Sequence, residues 1–75
     1  MPHVVVKLYP GRSEQQKVRL AEQIVKDLTT ILQCGEEAVS VAIEEVKSQD
    51  WAESVYKPDI HNKWDSLYKK TGYTM

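Results

Sequence analysis

Apolar residues first appear in alternation. Val4, Val6 and Leu8 are separated by His3, Val5, Lys7 and Tyr9, a period of two that predicts a strand with one firmly apolar face and one mixed face. Pro2 stands at the strand's head, where its missing N–H costs no ladder hydrogen bond. Pro10-Gly11 ends the run, since proline cannot donate to a ladder and glycine accepts turn conformations. The period then changes. Val18, Ala21, Ile24, Val25, Leu28, Ile31 and Leu32 follow i, i+3, i+4, i+7 spacing, one apolar stripe on a helix from about Glu14 to about Gln33. Ser13 is the expected N-cap, Gln16 completes a capping box, and Glu14 suits the positive end of the helix dipole. Gly35 is the expected C-cap, with Cys34 in the last turn. Alternation returns over Val39–Val46, with Val39, Val41 and Ile43 on one face and Ser40, Ala42 and Glu44 on the other.

Strand, long helix and strand predict a βαβ unit, an α/β (α+β) arrangement of parallel strands joined by one right-handed crossover helix. Two strands under one helix leave two open edges and a bare sheet face. Such a unit is not stable alone, so a second copy is expected. The chain divides into a βαβ core over residues 1–46 and a C-terminal segment over residues 47–75, within one domain. In that segment Pro58 suits the first turn of a short second helix, with Ile60, Trp64, Leu67 and Tyr68 on one face and Gly72 ending it.

Composition tightens the requirement for a partner. A chain of 75 residues buries only about 60% of the surface it exposes when unfolded. The single Cys34 excludes an internal disulfide, and His3 and His61 are too few to build a metal site of recognisable spacing. Oligomerisation or a very compact core must supply the stability. A net charge of −1 gives no global field for nucleic acid or an anionic membrane. No apolar run approaches the length of a membrane span, and the N-terminus lacks signal-peptide architecture. Together with the lack of disulfides, this predicts a soluble cytoplasmic protein. Five of the six aromatic residues lie at or beyond Trp51, so the last third differs in kind from the rest.

Chemistry concentrates on few candidates. If Met1 is removed, Pro2 becomes the N-terminus and its nitrogen a secondary amine, a base or nucleophile at the head of an apolar strand. On position alone, such a proline is more often an inert strand starter. Pro10-Gly11-Arg12-Ser13 precedes a helix, so Arg12 and backbone N–H groups form either an anion site or an ordinary turn with an exposed arginine. His3 and His61 read as surface or interface histidines, and Cys34 as a packing residue. Glu44-Glu45 has no visible partner at acid–base spacing.

The pieces are more specific together than singly. Pro2-His3-Val4-Val5-Val6, Pro10-Gly11-Arg12-Ser13-Glu14-Gln15-Gln16-Lys17 and Val39-Ser40-Val41-Ala42-Ile43-Glu44-Glu45 resemble the 4-oxalocrotonate tautomerase family in content and spacing. Trp51 and the closing Lys69-Lys70-Thr71-Gly72-Tyr73-Thr74-Met75 resemble its longer-chain, dimeric PptA-like subgroup. The resemblance implies a βαβ protomer that dimerises into a four-stranded sheet backed by helices. It also implies a cofactor-independent keto–enol tautomerase acting on enol forms of 2-oxo acids, such as a 2-hydroxydienoate or an aryl enol-pyruvate. By the same resemblance Pro2 would be the catalytic general base. Arg12 would hold a carboxylate or polarise the developing oxyanion, and Trp51 would line the pocket. The archetype's second-strand arginine aligns with Ser40, which leaves one cation fewer and favours a monocarboxylate. Two alternatives remain at this point. The same amine, held charged, would serve hydration, dehalogenation or decarboxylation, or the chain is a non-catalytic homo-oligomeric binding module.

Overall fold

The computed structural model describes residues 1–75, which form two compact units, Met1–Glu45 and Val46–Met75. The first contains strand β1 (His3–Leu8), helix α1 (Glu14–Leu32), a 3-10 turn (Glu36–Ala38) and strand β2 (Ser40–Glu45). The two strands pair in parallel, from His3 opposite Ser40 to Leu8 opposite Glu45. This is the expected βαβ unit, with Tyr9, Val39 and Val46 falling just outside the ladder.

Register and pleat sort the side chains into two faces. Val4, Val6 and Leu8 share a face with Val41, Ile43 and Glu45, while His3, Val5 and Lys7 share the other with Ser40, Ala42 and Glu44. Helix α1 covers the first face, as the Lys17–Glu45 ion pair of 2.8 Å shows. The Glu45 carboxylate holds the Lys17 ammonium above its usual range, with smaller help from Glu14 and against a small desolvation cost. A raised lysine contributes its stability below the unfolded-state value and loses it only in the alkaline range.

Helix α1 starts as its sequence requires. Ser13 Oγ accepts from the Gln16 backbone N–H at 3.1 Å, and Gln16 Oε1 accepts from the Ser13 N–H at 3.0 Å. Its end differs from expectation. The left-handed residue is Gln33 (φ 54°, ψ 51°), whereas Gly35 is extended (φ −78°, ψ 155°) and leads into the 3-10 turn. Cys34 therefore lies past the last turn, with its thiol 3.9 Å from the Leu28 carbonyl. The cap comes two residues early because the short turn before β2 needs the chain to reverse at once. A non-glycine residue absorbs that reversal.

The apolar stripe of α1 is only partly covered. Ala21, Ile24, Val25 and Leu28 are half-buried, but Val18, Ile31 and Leu32 remain 49%, 75% and 56% exposed. Two strands are too narrow to cover a stripe of five turns. No side chain of Met1–Glu45 is fully buried.

The second unit follows a different plan. A 3-10 turn (Ser48–Asp50) leads through Trp51 into a π-helix (Ala52–His61), followed by a short 3-10 turn (Trp64–Ser66). The expected helix beginning at Pro58 is thus corrected, because Pro58 lies inside a helix that starts six residues earlier. Proline removes an i→i−4 bond and crowds the preceding turn, and the wider i→i−5 register accommodates both faults. The Asn62 N–H accordingly bonds the Lys57 carbonyl at 3.0 Å. Leu67 is extended and Tyr68 is fully exposed, so neither joins the predicted apolar face. Val55 and Tyr56 are buried, at 5% and 6% exposure.

Candidate active site

Pro2 is half-buried at the head of β1. Its carbonyl accepts the Ser40 N–H at 3.2 Å, so β2 holds the residue from one side. Pro2 precedes the strand, and without an N–H its nitrogen cannot donate to the ladder. Ser40 makes a second contact. Its hydroxyl lies 2.6 Å from His3 Nδ1, across the first rung of the sheet. Pro2, His3 and Ser40 are thus drawn together at one end of the strands.

Arg12 is not among them. It follows the Pro10-Gly11 turn, where Gly11 takes φ 122°, a conformation costly for any side chain but glycine's. The six residues of β1 separate this turn from Pro2, about 20 Å of strand at ~3.3 Å per residue. Pro2 and Arg12 therefore lie beyond opposite ends of β1 within one chain. The capping box uses the Ser13 and Gln16 N–H groups, which leaves the exposed Arg12 side chain as the chief anion-attracting group there.

Trp51 belongs to the second unit, between its first 3-10 turn and the π-helix. Its indole Nε1–H donates to the Tyr73 hydroxyl at 3.0 Å. The Tyr73 ring tilts against Tyr56 at 5.7 Å between centroids, and Tyr56 stacks on His61 at 6.2 Å. The indole is thereby braced, and its N–H is already engaged. The Tyr73 link was invisible in the sequence except as a concentration of aromatics beyond Trp51. The His3–Ser40 contact was equally hidden, since one histidine on a mixed face has no spacing signal.

Residues 2–55 match the family model for tautomerase enzymes. The chain belongs to the tautomerase family. It is an isomerase of tautomerase type, and the match spans both strands, the helix and Trp51. Relatives extend the likeness to the tail. A probable tautomerase of Xylella fastidiosa is 42% identical over 97% of this chain and 89% of its own length. Tautomerase PptA of Enterobacter is 37% identical over the whole of both chains, in line with the PptA-like resemblance. Among solved structures, TomN, a 4-oxalocrotonate tautomerase homologue in the tomaymycin biosynthetic pathway, superposes with a TM-score of 0.65 at 34% identity. That match covers 67% of this chain and 77% of TomN.

Proposed function

We propose that this tautomerase converts enol forms of 2-oxo acids to their ketones, without a cofactor, using the Pro2 amine of the Met1-free chain as general base. The observation that carries the reading is the anchoring of Pro2. Its carbonyl is tied to β2 while its nitrogen stands outside the ladder at the strand's head. A free α-amine titrates near 8, and partial burial together with a cation brought close by a second protomer would lower it towards neutrality. A base poised near the working pH transfers protons efficiently. Neutral Pro2 takes the proton of the enol hydroxyl, and the resulting ammonium returns a proton to the vinylic carbon as the C=O bond forms. Arg12 meets a substrate carboxylate by charge-assisted hydrogen bonds.

The separation of Pro2 and Arg12 along β1 gives the homodimer a chemical purpose. A second protomer whose sheet runs antiparallel to the first brings its Arg12 to the first chain's Pro2. The four-stranded sheet so formed also widens the cover for the apolar stripe of α1.

Kinetics on an aryl enol-pyruvate test this directly. Pro2→Ala should lose about 10²–10⁴-fold in kcat, the range of a general base, and Arg12→Ala about 10–100-fold in kcat/KM. Neither alone proves a shared site. Mixing the two impaired chains and letting subunits exchange should raise activity to about a quarter of wild type, because half the sites of half the dimers are intact. Full activity in Pro2→Ala would end the general-base reading. No recovery on mixing, with exchange verified, would confine the site to one chain.

A further inference from the structure

We infer that His3 is a substrate-contacting residue of this site, holding the substrate's 2-oxygen through its Nε2–H, and that Ser40 is the positioning residue that sets its tautomer. The inference rests on the tautomerase reading of Pro2.

The first rung of the sheet carries the argument. His3 and Ser40 are register partners, so their side chains leave the sheet on the same face, the one opposite α1. The hydroxyl and ring nitrogen meet at 2.6 Å, well within hydrogen-bond distance. The same serine binds the Pro2 carbonyl through its N–H at 3.2 Å. One residue thus fixes both Pro2 and the imidazole that follows it in sequence. Both His3 and Ser40 are exposed, so the outer edge of the ring is open to a ligand. The next rung along this face is Val5 and Ala42, which sets the polar pair apart from Lys7 and Glu44 beyond it.

The chemistry follows from what each nitrogen has to do. A hydroxyl donating to Nδ1 leaves that nitrogen without a proton and puts the ring's proton on Nε2. On the residue next to Pro2 in the chain, that N–H is the donor to meet the substrate's 2-oxygen, where charge grows as its hydroxyl proton leaves. Such a preorganised donor stabilises the enolate-like transition state. The serine therefore serves through the histidine and needs no contact with substrate of its own.

Three variants and one spectrum test the assignment on the Met1-free chain. His3→Gln keeps a comparable side chain with an N–H donor, whereas His3→Met keeps the size and removes the donor. On an aryl enol-pyruvate, His3→Met should lose 10–100-fold in kcat with little change in KM, and His3→Gln should recover most of that loss. Ser40→Ala should lose about 3–10-fold in kcat. In ¹⁵N NMR at neutral or higher pH, the His3 ring of the parent should carry its proton on Nε2, and Ser40→Ala should show a mixture of tautomers. A proton on Nδ1 in the parent overturns the inference, as does His3→Met activity within twofold of the parent. If either occurs while Pro2→Ala is inactive, the tautomerase reading survives alone. An active Pro2→Ala removes that reading, and this inference with it.

Discussion

The two units of the chain solve the same problem of stability by opposite means. Met1–Glu45 is built from regular elements of correct period, with a complete capping box, yet none of its side chains is fully buried. Val46–Met75 is short and irregular, yet it contains the only two buried side chains, Val55 and Tyr56. Regularity and core formation are therefore separate properties. The βαβ unit has a well-made apolar surface that one copy cannot cover. The C-terminal unit has less surface to cover and covers it with rings, in the Trp51, Tyr56 and Tyr73 cluster.

That contrast can be broken at its strongest point first. Tyr56→Ala removes the ring on which Tyr73 and His61 pack, and should destabilise by about 3 kcal/mol in denaturant unfolding. A loss below ~1 kcal/mol would mean that the aromatic cluster is not a core. The converse test lies on α1. In a lone chain, polar replacement of exposed Ile31 and Leu32 should change stability by less than ~0.5 kcal/mol each. If a second copy completes the stripe, the double change to serine instead weakens self-association at least about tenfold, worth ~1.4 kcal/mol, in sedimentation equilibrium. Unchanged association would place the partner's surface elsewhere. The smallest effect belongs to the helix end. Gln33→Gly relieves a left-handed conformation at φ 54° and should stabilise by roughly 0.5–1 kcal/mol, after allowing for glycine's greater freedom when unfolded. A destabilised variant would show that the Gln33 side chain holds the turn.

Much of this was legible before any coordinates. The period of two and the i, i+3, i+4 stripe are local consequences of which face is buried, so β1, α1 and β2 appeared within a residue or two of their limits. Ser13 and Gln16 behaved as their spacing requires, because a capping box involves only four neighbouring residues. The helix end and the tail were misread for a shared reason. Gly35 and Pro58 have strong average preferences, but tertiary demands decided otherwise, with Gln33 taking the reversal and a π register absorbing Pro58. At the candidate site, the family's spacing singled out Pro2 and Ser40. Their connection through His3 was not, since it depends on a register between strands 37 positions apart. The distance between Pro2 and Arg12 was likewise a property of topology and not of motif.

The central claim concerns a free secondary amine, and acylating that amine tests it most directly. A chain carrying one uncleaved residue ahead of Pro2 keeps every side chain but turns the base into an amide. Its activity on an aryl enol-pyruvate should be compared with the Met1-free protein, each verified by intact mass and by oligomer size. The account predicts a loss of at least about 10²-fold with an unchanged assembly. Equal activity in the capped chain would contradict it.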